Sequence, residues 1–307
     1  MPDRDLDTDV AIVGGGPAGL AAALFLARYL HRVVVVDSGD PRNWEARGIN
    51  GYLGLHGIAP PELRRRGRDE ARSAGAILVD DVVRTVQQED DERFTLTLER
   101  EGRVQARRLL LAIGIKDVWP EVPGLERCYG ETAHHCPDCD GFEARDRSVV
   151  VIASGRKALG MALALATWTR KIVVCTNGVP LEQHARLYER LARIDVPVTS
   201  ERIVRLVVKE RMVRALELSS GQFLDCERIF FAIGQYPADD LGVQLGCERD
   251  DDGLILVDAH GHTTVQNVFA AGDITPGPHL AIRAAGTGAV AALAIHHSLL
   301  PAELVLD

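Results

Sequence analysis

Val10-Ala11-Ile12-Val13-Gly14-Gly15-Gly16-Pro17-Ala18-Gly19 is an apolar run that stops at a glycine turn. An alanine-rich helical segment follows to about Tyr29, and a second apolar run, Val33-Val34-Val35-Val36, ends on Asp37. Strand, Gly14-x-Gly16-x-x-Gly19, helix, strand and terminal acid in register predict a β-α-β unit that binds a dinucleotide. Gly14 allows the tight turn, Gly16 lets a pyrophosphate approach the backbone, and Gly19 lets helix and strand pack closely. The helix N-terminus offers free N–H donors and the positive end of its dipole to phosphates. Asp37 is placed to accept hydrogen bonds from ribose hydroxyls.

The same architecture recurs further along. Arg147 to Ile152 reads as a strand, Lys157 to Thr169 as an amphipathic helix, and Ile172-Val173-Val174-Cys175 as the next strand. Each half ends on a matching apolar strand and turn, Leu109 to Gly114 and Ile229 to Gly234. Alternating segments such as Phe94 to Leu98 and Ala215 to Leu218 fit small antiparallel meanders. The expected fold class is therefore α/β, a duplicated Rossmann-like nucleotide-binding fold whose parallel strands are near-continuous apolar runs. Near the C-terminus, Asn267 to Asp273 reads as a strand and Leu280 to His297 as a helix. Its small residues Ala284, Ala285, Gly286 and Gly288 allow close backbone approach.

Composition bounds the function. The 307 residues suggest two domains, with 46% hydrophobic and 26% charged residues as in ordinary globular proteins. The net charge of −9 and the lack of a basic tract argue against nucleic-acid binding. Arg64-Arg65-Arg66 is read as a solvated helix face. The acidic start, Met1-Pro2-Asp3-Arg4-Asp5-Leu6-Asp7, lacks the layout of a signal peptide, and no apolar stretch is long enough to span a bilayer. No membrane association and a cytoplasmic location are the expectations.

Of six cysteines, Cys128, Cys175, Cys226 and Cys247 are scattered singly and read as structural. Cys136-Pro137-Asp138-Cys139-Asp140-Gly141 has redox spacing. Two cysteines so placed can close a short disulfide and resolve a mixed disulfide, with the thiolate as the exchanging species. Asp140 can carry the accompanying proton. His134 and His135 can stabilise a thiolate or act as a base, or are simply partly exposed histidines before a turn. The competing reading, half a zinc site, needs a second ligand pair that the sequence does not supply.

These features, in this order and over nearly the whole chain, resemble the low-molecular-weight thioredoxin reductase family of FAD-dependent disulfide oxidoreductases. The resemblance rests on Gly14-x-Gly16-x-x-Gly19, Cys136-x-x-Cys139-Asp140-Gly141, the two Ala-Ile-Gly turns and Phe269-Ala270-Ala271-Gly272-Asp273. It implies that the second nucleotide-binding domain is inserted into the first. Residues 1–120 and 246–307 would form the FAD domain, and 121–245 an inserted dithiol domain with an NAD(P)H-binding fold. It implies FAD as cofactor, a homodimer, and a thioredoxin-like protein or small-molecule disulfide as partner. Cys139 would be the flavin-side sulfur, Cys136 the one exchanging with substrate, and Asp140 the proton donor and acceptor. Asp37 would hold the adenosine ribose, Asp273 the ribityl or pyrophosphate portion, and the backbone after Pro278 would approach the isoalloxazine. The implied FAD contacts also include Gly14, Gly16, Pro17, Ala18, Gly19, Ser38, Asn50, Val83, Ala112, Gly114, Gly272, His279, Leu280 and Ala281.

One departure matters. The second phosphate loop is Ala153-Ser154-Gly155-Arg156-Lys157-Ala158, where the family pattern would read Gly-x-Gly-x-x-Ala. The next strand ends in Cys175-Thr176-Asn177-Gly178, with neither an arginine cluster for a 2′-phosphate nor an acid for a ribose. Arg156 and Lys157 are the remaining charges available to a pyrophosphate. The expectation is an enzyme that has abandoned NADPH, for example one served by ferredoxin. The segment from Arg42 to Gly57 also looks more like such branches. The alternatives are an ordinary NADPH-dependent reductase, a dithiol oxidase passing electrons to oxygen, and a non-catalytic flavin redox sensor. The oxidase branch often has histidine after the second cysteine, and Asp140 leans toward the reductase pattern.

Overall fold

The structure is a computed structural model that describes residues 5–89, 93–100 and 102–304. Met1 to Arg4 of the acidic start lie outside the described residues. The chain divides into two compact units, Met1–Trp44 with Tyr52–Lys116 and Tyr236–Asp307, and Glu45–Gly51 with Asp117–Gln235.

The first unit begins with β1 (Leu6–Val13), α1 (Pro17–Arg28), β2 (Val33–Asp37), α2 (Pro60–Ser73) and β3 (Ile77–Asp80). A meander follows, β4 (Val83–Gln88), β5 (Phe94–Leu98) and β6 (Arg103–Leu111), and β7 (Ile115–Val118) leads out of the unit. β2, all valine up to its closing aspartate, is buried along its whole length, as a central parallel strand requires. Strand order is β3-β2-β1-β6-β5-β4. β6 is bifunctional. Its alternating first half pairs antiparallel with β5, and its fully buried second half, Leu109 to Leu111, pairs parallel with a strand from the far end of the chain.

The second unit holds β8 (Ala133–His134), α3 (Pro137–Asp140), β9 (Val149–Ala153), α4 (Gly155–Leu165), β10 (Ile172–Cys175), α5 (Ala185–Ala192) and β11 (Val198–Thr199). It continues through β12 (Ile203–Lys209), β13 (Met212–Leu218), β14 (Phe223–Asp225) and β15 (Arg228–Ala232). Its sheet, β11-β10-β9-β15-β8, is parallel throughout, and β12-β13-β14 form a separate antiparallel meander. One apolar cluster lies on each face of each main sheet, which gives the three layers.

β16 (Gly234–Pro237) leads back to the first unit, which closes with α6 (Leu241–Gln244), β17 (Val268–Ala270) and α7 (Ala281–Leu299). β17 is the strand that pairs with β6.

The domain limits differ from those expected. Residues 236–245 belong to the first unit, because Leu241 enters its core and the Gln244 amide bonds Val86 N–H and the Arg84 carbonyl. Residues 45–51 belong to the second, where Arg47 N–H bonds the Gly130 carbonyl. α4 begins at Gly155, not Lys157, and ends at Leu165. Gly288 provides the close approach in α7, since a Cβ there would overlap the Ala18 carbonyl, whereas the space beside Gly286 is open. Among the described residues no helix is long and apolar enough to cross a membrane.

Candidate active site

In the first unit, Gly14 has φ +105° and its N–H donates to the Val36 carbonyl at 2.8 Å. A Cβ there would overlap the Ala112 carbonyl, so Gly14 and Ala112 form one turn, tied also by Ala112 N–H to the Val13 carbonyl. Gly19 packs on the Gly14 carbonyl with no room for a side chain. Gly16 is different. It caps α1 in extended backbone, and no atom of the described residues comes within 4 Å of where its Cβ would be. With Pro17 at the first helical position, α1 has neither a side-chain cap nor an acid in its first turn. The amides of Ala18 and Gly19, ahead of the first intrahelical bond from Leu20 N–H to the Gly16 carbonyl, are left for an anion.

Gly15, which sequence reading passed over, lies against the Asp37 carboxylate. Asp37 is buried at the end of β2. Its Oδ1 accepts from Gly39 N–H at 3.2 Å, and its Oδ2 pairs with Arg64 and with Arg68 at 3.0 Å. Arg68 also reaches Asp80 at 2.6 Å. Arg64 is therefore no part of a solvated face. Arg65 and Arg66 are, pairing with Glu62 on the outside of α2. A pocket of about 280 Å³ opens beside this network, lined by Asp37, Ser38, Arg64, Asp80, Val82 and Arg100. Val83 is the buried first residue of β4. Gly114 turns the chain after β6 with φ +71°.

Gly272, φ +84°, starts the turn that carries Asp273, and its N–H donates to Thr287 Oγ1. Asp273 Oδ2 faces Arg42 at 3.5 Å, while its buried Oδ1 has no hydrogen-bond partner among the described residues. His279 lies in the segment before α7, Leu280 caps α7 without a side-chain bond, and Ala281 is its first residue. An open glycine cradle, a buried acid with neighbouring pocket, and an unpartnered carboxylate oxygen fit a large phosphate- and hydroxyl-bearing cofactor such as FAD.

In the second unit Cys136 and Cys139 are joined in a disulfide, Cα atoms 5.3 Å apart, so both sulfurs are committed to each other rather than to a metal. Cys136 caps α3, its Sγ accepting from Cys139 N–H at 3.1 Å. Neither cysteine is buried, and Asp138 is exposed. Gly141 lies flat against the Trp168 ring. Asp140 has a neighbour on each oxygen: Oδ1 accepts from the Asn50 amide at 3.3 Å, and Oδ2 faces His134 Nδ1 at 3.4 Å. Asn50, expected among the FAD contacts, is thus placed on the dithiol's acid. The two histidines part company at the end of β8: His134 is its last residue, and His135 lies in the bend that follows. His134 is buried against Phe230, whereas His135 turns to the Tyr129 hydroxyl at 2.9 Å and Asp117 at 3.7 Å.

Cys128, Cys175, Cys226 and Cys247 are buried free thiols. Burial pushes Cys128 up to about 11 and Cys226 to about 12, and raises the other two, so all four stay protonated at neutral pH.

At the second β-α turn, Gly155 N–H donates to the Tyr188 hydroxyl at 3.1 Å, a buried bond. The His184 ring covers Gly155, with Nε2 2.9 Å from a Cβ built there. Lys157, expected to be available to phosphate, donates to the Ile233 carbonyl at 2.7 Å. Arg202, not anticipated, packs over Gly178 at the end of β10.

The sequence pattern of the family described as pyridine nucleotide-disulphide oxidoreductase matches residues 8–288. The chain is 31% identical to a thioredoxin reductase of Mycolicibacterium smegmatis, over 93% of this chain and 94% of that protein. Among solved structures it superposes on HlmI with a TM-score of 0.89 and 35% identity, covering 96% and 92% of the two chains. On a putative thioredoxin reductase, TrxB, from Bacillus anthracis the values are 0.88 and 28%, over 95% and 98%. With glycine cradle, redox disulfide and duplicated fold in one chain, this protein belongs to the pyridine nucleotide-disulphide oxidoreductase family, as a thioredoxin-reductase-like, FAD-dependent enzyme.

Proposed function

We propose that this enzyme passes two electrons between FAD and a disulfide substrate through Cys136 and Cys139, and does so without NADPH. The glycine turn and α1 N-terminus would hold the pyrophosphate, Asp37 the adenosine ribose and Asp273 the ribityl chain. Bound FAD supplies a two-electron store. The cysteine pair opens when it takes up two electrons and one proton, leaving one thiolate and one thiol. The Cys136 thiolate then attacks the substrate disulfide. Cys139 displaces the substrate sulfur as the pair closes, and the proton leaves with the substrate thiol through Asp140. The relatives' names point to a thioredoxin-like protein as substrate, and the intermediate exposure of both cysteines suits a macromolecular disulfide.

The single observation behind NADPH independence is the Tyr188 hydroxyl on Gly155 N–H, under the His184 ring. A pyrophosphate at that turn needs that amide and that space, and here the chain's own side chains take both. Reduced ferredoxin is the donor class proposed in its place. Arg202 over Gly178 favours a second reading, in which that guanidinium meets a 2′-phosphate and the enzyme uses NADPH.

The test is anaerobic mixing of the FAD-loaded enzyme with NADPH, NADH, reduced ferredoxin, or a dithiol followed by air, watching flavin absorbance. Bleaching by ferredoxin alone is expected. Prompt bleaching by NADPH or NADH refutes the nucleotide-free reading, and peroxide from dithiol plus oxygen replaces it with an oxidase.

A further inference from the structure

We propose that His134 is a positioning residue for Asp140, holding its carboxylate ready to move the proton that accompanies opening and closing of the Cys136–Cys139 bond. This rests on the reading above, in which Asp140 handles that proton. Three observations carry it. His134 Nδ1 lies 3.4 Å from Asp140 Oδ2, and the Asn50 amide takes the other oxygen at 3.3 Å, so the carboxylate is clamped from two elements far apart in sequence. The ring is itself immobilised, being buried and packed on Phe230 with centroids 5.4 Å apart. Its Nε2 is buried with no hydrogen-bond partner among the described residues, so the tautomer that fits carries its proton on Nδ1, the nitrogen that faces Asp140. Among the described residues the titratable group facing this ring is Asp140 on α3, and Cys136 follows two positions along the chain. Phe230 on β15 and Asn50 are uncharged, and His135, in the bend after β8, turns to Asp117 instead.

The proton bookkeeping is closed. Reduction breaks the S–S bond and adds two electrons and one proton to the pair. Exchange with a substrate disulfide returns both electrons and that proton to the substrate sulfurs. A carboxylate free to rotate samples many orientations, whereas one restrained at both oxygens has fewer to search before it reaches the productive one.

The experiment starts from dithiol-reduced protein, so no electron donor is needed. Alkylation of Cys136 and Cys139 by iodoacetamide is followed across pH by mass spectrometry, and exchange is followed with dithiobis(nitrobenzoate) as the disulfide probe. His134→Phe is expected to slow exchange about tenfold, the worth of one hydrogen bond to a charged group. It is also expected to shift the alkylation pH profile in the direction that Asp140→Asn shifts it. The double variant shifts no further, and His134→Asn, which keeps a donor at the Nδ1 position, returns exchange to within about threefold of wild type. Losses that multiply in the double variant, an unmoved pH profile in His134→Phe, or a folded His134→Asn without rescue each overturn the proposal. If wild-type dithiol fails to exchange with any disulfide, the functional reading fails instead.

Discussion

Asp37→Asn isolates the network at the end of β2. The substitution keeps the shape and the acceptor for Gly39 N–H, but removes the charge lying between Arg64 and Arg68. The side chains of Asp37 and Arg68 are each 9% exposed, so Arg68 loses a buried partner rather than a surface one. Removing one member of such a pair costs about 3–5 kcal/mol. Asp80 stays within 2.6 Å of Arg68, but its own side chain is 67% exposed, so it compensates only in part. A loss of about 2–3 kcal/mol follows for the first unit, or a fall of about 5–10 °C at the midpoint for a unit of this size. The assay is urea and thermal unfolding of flavin-free protein by circular dichroism, read transition by transition because two units need not melt together. Asp80→Asn serves as control, with an expected loss below about 1 kcal/mol. Working without flavin separates this cost from any lost ribose contact. A loss under about 1 kcal/mol for Asp37→Asn, or an equal loss for Asp80→Asn, refutes the reasoning.

The two glycines of the first turn are expected to fail differently. Gly19→Ala drives a Cβ into the Gly14 carbonyl and is expected to cost about 1–3 kcal/mol and yield colourless protein. Gly16→Ala meets no chain atom, so it folds normally while its FAD Kd rises in titration. In native protein reduced at pH 7–8, iodoacetamide is expected to label Cys136 and Cys139 and leave the four buried thiols for denaturing conditions. Labelling of Cys226 in the folded state contradicts the burial that holds it near 12. Because folding raises the Cys128 and Cys226 values, the neutral thiols favour the fold below the ordinary thiol range. That contribution is lost as pH rises from about 9 toward 11–12, and Cys226→Ala is expected to flatten the alkaline side of the unfolding profile. Burial raises Asp239 to about 6, so its protonated form favours the fold at low pH and stability drains away as pH rises from about 4 through 6. Asp239→Asn retains an acceptor for Leu241 N–H and is expected to stabilise the protein at pH 7.5 but not at pH 4, by urea midpoints.

The sequence by itself determined the elements whose signal is local and periodic. Val33 to Val36, four β-branched residues in a row, read as a strand buried on both faces, Gly14 and Gly19 announce the turn that needs them, and Cys136-x-x-Cys139 has a spacing that a short helix turn can close. These were readable because the residue type and its neighbours within a few positions carry the constraint. The limits of α4 were less readable, since Ser154 and Gly155 resemble a loop until a side chain from α5 supplies the hydroxyl that bonds the first amide.

Tertiary structure alone decided which side chains converge. Arg64 leaves its exposed neighbours for Asp37, Asn50 crosses 90 positions to Asp140, and His134 and His135, adjacent and identical in type, are sent to different partners where β8 ends and the chain bends. Tyr188 and His184 reach the second glycine turn from more than 25 residues away. Such meetings are set by how sheets and helices stack and by which polar groups burial forces to find a partner. No short stretch of chain holds that information.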